Sequence, residues 1–360
     1  NKKFSLLLNF SVSGDFYSIL QNLGDKHNME FVAQPAAAGL PPPDPVGAKN
    51  FLTGQYWPLG LQEQFMTGIT NIPLRFVVVD NSGSMNKGDG QRWTSRGKAR
   101  FIPCSRWTEL TESIRFQAAL AEAARAPTEF RLLNGAAPVM LGRGDDGGRG
   151  YQTLLPLLDK SPAGLTPLCF HVAEIANQIT ALAPQLLANN QRVVVVIATD
   201  GEASDGNIAE AMAPLQALPV LVVIRLCTSE EPVVQYWNSV DQQLELELDV
   251  LDDFESEAKE IAKVNSWFTY GEPLHRLREF GITIKEMDQL DEAPLLPDQI
   301  RKVAALIMFG NVPPDMPPTD DLNEFMNYMQ PRVDALPVTW CPLLKSQSPW
   351  IRLTEMETRI

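Results

Sequence analysis

The sequence predicts an α/β protein: a doubly wound, mostly parallel sheet flanked by helices, with an irregular N-terminal arm and a helical C-terminal extension. Three observations predict it. Phe76–Val79, Val193–Thr199 and Pro219–Leu226 are short, mainly apolar runs, the mark of strands buried on both faces. Segments with apolar residues at helical spacing alternate with these runs, as βαβ units require. The first two runs end in Asp80 and Asp200, and in an open α/β sheet ligands bind outside the carboxyl ends of the strands.

In chain order, residues 1–70 read as the arm. Phe16–Leu20 reads as the start of a short helix, and Asn9-Phe10-Ser11 fits a glycosylation sequon. Pro35–Pro45, rich in Pro, Ala and Gly, reads as a linker, or more sharply as an SH3-type ligand. Trp57, Leu59, Leu61 and Phe65 are expected to pack the arm on a main domain spanning residues 71–251. Residues 85–106 hold Lys87, Arg92, Arg96, Lys98, Arg100 and Arg106 against one acid, Asp89, so a basic loop is expected there. A helix over Thr108–Arg125, with Thr108 as N-cap, follows from Leu110, Ile114, Ala118 and Ala121 on one face.

Phe130–Leu133 and Pro138–Leu141 read as short strands joined at Asn134-Gly135. Gly142–Gly150 lacks the Lys-Ser/Thr and helix start of a phosphate loop, so it reads as a surface loop, its Arg143-Gly144-Asp145 included. A helix opens at Thr166-Pro167 and bends or ends at Pro184, and residues 207–217 form a short one. Leu244, Leu246, Leu248 and Val250 alternate with acids, which suits a last or edge strand. Asp252, Asp253 and Glu255 read as a helix start favoured by its dipole rather than as a second cation site. Residues 252–330 read as the helical extension and residues 331–360 as a docked tail.

The pieces with chemistry are Asp80-x-Ser82-x-Ser84, Thr166 in a tight turn, and Asp200. Capping and turn formation account for one aspartate after a strand, but not for two aspartates and three hydroxyls at matching strand ends. Oxygen donors suit a hard cation such as Mg²⁺, or Mn²⁺ or Ca²⁺.

In this order the pieces resemble the metal-ion-dependent adhesion site of the von Willebrand factor type A (VWA) domain. The resemblance covers residues 71–251 and implies the Rossmann-like VWA fold. It also implies that Ser82, Ser84 and Thr166 ligate the metal directly, while Asp80 and Asp200 act mostly through water or from behind. A dication held by neutral oxygens keeps residual charge and an open position, which would grip an Asp or Glu of a protein partner. An acidic segment of the chain itself, such as Glu355–Glu357, would also fit, giving self-association. Met85-Asn86-Lys87 lacks the acids of an adjacent second metal site, so none is expected.

Composition narrows the classes. The chain has 360 residues, 44% hydrophobic, with 30 basic against 44 acidic residues and a net charge of −14. That disfavours nucleic acid and anionic membrane as partners, and no apolar run is long enough to span a bilayer. The start at Asn1 rather than Met reads as a fragment. Cys104, Cys169, Cys227 and Cys341 are far apart, without a CxxC, so free thiols and a cytoplasmic setting are expected. A Mg²⁺-dependent phosphohydrolase is the alternative, with Asp80 as nucleophile. Its usual second Asp is here Ser82, and only His27, His171 and His275 could serve acid–base chemistry, so the expectation is not an enzyme. A domain with a purely structural metal is the third reading.

Overall fold

The computed structural model describes residues 42–94, 100–144, 147–287 and 289–360. The readings at Asn9, at Phe16–Leu20 and in the first part of the proline run lie outside the described residues.

A six-stranded sheet forms the centre. It is built from β1 (Arg75–Val79), β4 (Thr128–Leu132), β5 (Val139–Leu141), β6 (Val193–Thr199), β7 (Val220–Leu226) and β8 (Leu248–Leu251). The spatial order is β5-β4-β1-β6-β7-β8. Only the β4–β5 pair is antiparallel, joined by the turn expected at Asn134-Gly135; the other neighbours run parallel. As expected, β1 and β6 are adjacent central strands, with Val77 opposite Val196. The chain winds outward from β1 to β4 on one side, then returns to lay β6 on the other. The strand order therefore reverses between β1 and β6, which is where such sheets bind ligands.

Alternation along these strands feeds two cores. Phe76 and Val78 share one with Val195, Ile197, Val222 and Ile224. Val77 and Val79 share the other with Val194, Val196, Leu221 and Val223. Helices α5 (Leu168–Ala188), α6 (Ile208–Met212) and α7 (Glu231–Gln243) cover the first core with Val172, Ile175, Ile179, Met212 and Trp237. The second core is covered by α1 (Pro45–Gly54), α2 (Leu59–Asn71) and α3 (Arg106–Ala124), together with α8 (Phe254–Val264), α9 (Glu272–Glu279) and α10 (Pro297–Phe309). At α2 only glycine fits position 60, since a Cβ there would lie 1.9 Å from Leu306 O on α10.

Several elements differ from the sequence reading. In place of an irregular stretch, residues 45–71 form the helices α1 and α2; Trp57, Leu61 and Phe65 are buried as expected, while Leu59 is exposed. Helix α3 starts at Arg106 and is capped by Ser105, whose Oγ accepts from Thr108 N. Thr108 Oγ1 lies 2.9 Å from that same hydroxyl, so the expected cap is the cap's partner. Within the basic segment, β2 (Gly90–Thr94) and β3 (Arg100–Cys104) pair as a hairpin. The glycine-rich loop ends in α4 (Arg149–Leu158), hidden from the sequence by Pro156. Helix α5 runs through Pro184 to Ala188. Helix α7 was not foreseen; it buries Trp237 and Val240, three residues apart. The 244–250 alternation yields an edge strand only from Leu248.

Asp253 caps α8 by accepting from Glu255 N and Ser256 N, so the acids there serve the helix start. In the C-terminal part α11 (Leu322–Ala335) continues through Pro331. A hairpin of β9 (Thr339–Cys341) and β10 (Ser346–Ser348) then leads to α12 (Leu353–Glu357). Trp350 and Met356 are buried in the second core. All four cysteines are free thiols. Among the described residues no helix is long and apolar enough to cross a membrane.

Candidate metal centre

Strand β1 ends at Val79, and Asp80 continues its direction: Asp80 N donates to Ala198 O of β6. Asp80 is fully buried, with both carboxylate oxygens engaged. Oδ1 accepts from Ser82 N at 2.8 Å, which forms the tight turn after the strand. Oδ2 accepts from Thr199 Oγ1 at 2.7 Å, which ties β1 to β6. Burial raises the Asp80 pKa against the Ser82 and Thr199 bonds, and the neighbouring Asp200 charge adds to the rise.

Residues Gly83–Asn86 turn as a single 3₁₀ segment and present Ser84 to solvent. Ser82 Oγ and Ser84 Oγ are 2.9 Å apart, and Ser84 Oγ donates to Asp200 Oδ1 at 2.7 Å. Asp80, Ser82, Ser84 and Asp200 are thus one hydrogen-bonded chain across two strand ends. Thr166 joins through its backbone: its N–H donates to Ser204 Oγ and its carbonyl accepts from Ser204 N, just beyond Asp200. Two further bonds hold the Thr166 loop to the Ser82 turn, Gly83 N to Gly164 O and Ala163 N to Asn81 O. Gly164 has φ +100°, and a Cβ there would meet the Asn134 side chain at 2.6 Å, so this turn requires glycine. Asn81 and Asn134 clamp the same loops, Asn134 Nδ2 donating to Leu165 O.

The second Asp200 oxygen is held by a cation the motif did not announce. Arg106, 3% exposed at the start of α3, donates from Nη1 to Asp200 Oδ2 at 2.9 Å. Its other nitrogens grip both oxygens of Asp89 at 2.7 and 2.6 Å and also reach Glu230. Burial alone would lower the Arg106 pKa; the bonds to Asp89, Glu230 and Asp200 raise it instead. Arg106 lowers the Asp89 pKa in return, while Lys87 and then Arg106 lower that of Glu230.

The basic loop is therefore partly spent at home. Lys87 pairs with Glu230, and Arg92 lies 3.9 Å from Glu112. Arg96 and Lys98 lie outside the described residues. Sequence reasoning gave Arg106, Asp89, Glu230 and Thr199 no role at the site; the one available signal was Asp89 as the single acid among six cations.

The two described histidines stand apart from this hydrogen-bonded chain, and His27 lies outside the described residues. His171 Nε2 lies 3.2 Å from Leu133 O, and His275 is buried in the second-core helix α9. Burial pushes the Cys227 thiol up to about 12, so it is no nucleophile at neutral pH. Among the described residues no three His, Cys, Asp or Glu side chains form a cluster of metal-holding type; the donors assembled here are hydroxyls with two aspartates behind them.

No protein-family model matches the chain, and no curated protein matches it. Among solved structures it is similar to the crystal structure of the SpRpn10 VWA domain, at 14% identity and a TM-score of 0.32, over 51% of this chain and 88% of that one. A likeness that distant adds nothing to the strand order and register, which define a doubly wound α/β fold by themselves.

Proposed function

We propose that the chain is a VWA-type protein-binding module whose contact is a divalent cation, Mg²⁺ first, at Asp80, Ser82, Ser84, Thr166 and Asp200. One observation carries the reading. In the hydrogen-bonded network at the end of β1 and β6, four carboxylates (Asp80, Asp89, Asp200 and Glu230) face two cations, Arg106 and Lys87. Two negative charges are left over, beside a solvent-exposed hydroxyl.

The donor set fits such an ion. Mg²⁺ binds oxygens at about 2.0–2.1 Å in octahedral geometry, which puts neighbouring ligands roughly 2.9 Å apart. Ser82 and Ser84 stand at 2.9 Å, with Asp200 behind them as the hydrogen-bond acceptor of Ser84. A bound cation would take hydroxyl oxygens from Ser82, Ser84 and Thr166 and offer its outer face to a partner's Asp or Glu. The chain's own residues do the positioning. Thr199 and the Ser82 amide fix Asp80, Arg106 fixes Asp200, and Asn81 with Asn134 sets the height of the Thr166 loop.

The phosphohydrolase alternative draws less support, because its nucleophile, Asp80, is 0% exposed with both oxygens bonded inward. A purely structural metal is less favoured because Ser84 faces solvent. Titration of Mg²⁺ and Mn²⁺ by calorimetry tests the reading. Ser84→Ala and Asp200→Asn should each weaken binding by about tenfold or more, one lost ligand interaction being worth roughly 1.4 kcal/mol. Cation affinity unchanged in Ser84→Ala would overturn it. Proteins captured in Mg²⁺ and lost in EDTA would then identify partners.

A further inference from the structure

We propose that the free edge of β8 takes up an extended, basic segment of a protein partner as an added strand, with a Lys or Arg of that segment lying in the cleft beside it. The proposal does not rest on the metal-dependent reading. Strand β7 separates β8 from β6, and the cleft lies toward the amino ends of β7 and β8, away from Asp80 and Asp200.

Strand β8 closes one side of the sheet, and its outer backbone is unused. Val222 N donates to Glu247 O, and Val223 stands opposite Asp249. A parallel ladder bonds alternate residues to each neighbour, so Asp249 and Leu251 face β7, and the N–H and C=O groups of Leu248 and Val250 point outward. No described residue is bonded to those groups. An unpaired row of this kind is a template for another chain, whose main-chain bonds supply the affinity. Instead of packing against this edge, the chain leaves a cleft of about 330 Å³ between residues 247–250 and the side formed by Thr283, Met287 and Leu290. That volume lies within the roughly 300–1,000 Å³ of ligand pockets. Leu221 and Ile261, both buried, contribute to its floor.

Charge selects the occupant. Asp249 on β8 and Glu257 on α8 share one cation, Arg278, whose Nη2 donates to Asp249 Oδ1 at 3.2 Å and whose Nη1 donates to Glu257 Oε2 at 2.5 Å. Glu247 is held by Arg192 at 2.6 Å. Asp291 and Glu292, which also line the cleft, meet no cation among the described residues. Even with Glu257 set aside, since burial pushes it up to about 7, four carboxylates face two cations. A second copy would bring the same excess of acid to the same edge, and like charges opposite each other on paired strands repel, so this edge does not serve self-pairing. A Lys or Arg has both parts that the cleft asks for: a methylene stem for Met287 and Leu290 and a cationic head for Asp291 and Glu292. The acids that guard the edge against its own kind thereby favour a basic strand.

The test uses the full chain and short labelled peptides that alternate Lys with Val, read by fluorescence anisotropy, with Glu–Val peptides as counterparts. The Lys–Val peptide should bind equally in Mg²⁺ and in EDTA, and at least about tenfold more tightly than the Glu–Val one. Asp291→Asn with Glu292→Gln should weaken it about tenfold, while Glu355→Gln with Glu357→Gln, which removes two charges outside the cleft, should leave it unchanged. Two further Lys–Val peptides carry N-methyl groups on one or the other alternate set of amides. One set should cost about tenfold, the scale of two lost backbone hydrogen bonds, and the other nothing. The Leu248 and Val250 amides should exchange hydrogen freely in the unbound chain and become protected on binding. Equal weakening by the two charge-removing pairs would mean attraction to the acidic surface at large and would overturn the proposal. So would full affinity of both N-methylated peptides, binding that requires Mg²⁺, no binding at all, or a dimer that protects the two amides without peptide.

Discussion

The two faces of the sheet are assembled in different ways. One is covered by α5, α6 and α7, drawn from residues 168–243, and each lies between the strands it covers. Its core is mainly aliphatic, with Val172, Ile175, Ile179 and Ile208 against Val195 and Ile197, and Phe76 and Trp237 among them. The other face takes helices from both ends of the chain and buries a connected network of charges. Glu279 on α9 is 0% exposed and accepts from Arg225 Nε at 3.0 Å, Arg276 Nη1 at 2.9 Å and Ser113 Oγ at 2.8 Å. Arg225 also donates to Glu109 at 3.0 Å, and Arg75 lies over the Phe280 ring at 4.3 Å. The first face relies mainly on apolar fit, with Arg131 its one deeply buried charge among the described residues, held by Glu129 and by Glu174 on α5, because short connections already place its helices. The second docks segments far apart in sequence, and there any wrong register would strand a charge in the core. Helix α3 joins this second face to the metal centre: Arg106 holds Asp200, and Glu109 and Ser113, on the next turns, hold the buried network.

The contrast can be broken hardest at Glu279. Glu279→Gln leaves Arg225 and Arg276 without their buried counter-charge and should cost about 4 kcal/mol in urea unfolding, within the range for breaking a buried pair. Hydrogen exchange should rise first in α9. Ile179→Ala on the other face should cost less, about 3 kcal/mol, as a cavity, and should leave α9 protected. Equal loosening of α9 in both variants would mean that the charges do no more than fill space. Arg106→Leu ranks next, at about 2 kcal/mol in EDTA, because Asp89 and Glu230 can turn to water while Asp200 cannot. Mg²⁺ should restore more stability to this variant than to the parent. A melting temperature insensitive to Mg²⁺ in both would remove the cation from the account.

What the sequence disclosed follows the same division. Phe76–Val79 and Val193–Thr199 were legible because a doubly buried strand has a continuous apolar run, and the two Asp that close them announced the site. The α5 helix was legible for its spacing at Val172, Ile175 and Ile179. Helix α7 was not, since only Trp237 and Val240 of its thirteen residues are buried and the rest reads as solvent-facing loop. Arg106 was read as one more cation of a basic loop, because its three carboxylate partners come from three separate segments. The Glu279 network was invisible for the same reason: Ser113, Arg225 and Arg276 are ordinary surface residue types, and pairing across 166 and 54 positions leaves no local pattern.

The smallest expected effect, the pH dependence of stability, separates two opposing groups on the second face. Burial pulls the His275 pKa down to about 3 from its ordinary 6.5, so the imidazole is neutral in the fold. A depressed base contributes stability that is fully present above 6.5 and is lost as pH falls toward 3, because the unfolded chain takes up the proton first. Asp252, before α8, goes the other way. Burial, with Glu260 and Asp253 beside it, raises its pKa from 3.8 to about 6. Its contribution is fully present below 3.8 and is lost as pH rises through 6. Glu257 beside it, raised by burial from 4.5 to about 7, acts in the same direction. Between about 4 and 6.5 these two carboxyls oppose His275, so the parent's urea midpoint should not fall from pH 7 to 5. Below 4.5 the profile should fall, as Glu279, held under its ordinary pKa by Arg276 and Arg225 against the effect of burial, begins to protonate in the unfolded chain first. Asp252→Asn combined with Glu257→Gln removes the opposing arm, and the double variant's midpoint should decline steadily as pH drops from 6.5 to 5. A double-variant profile that falls no more than the parent's would show that His275 gains a proton in the folded state with no cost, and that α9 does not bury it as tightly as its 2% exposure indicates.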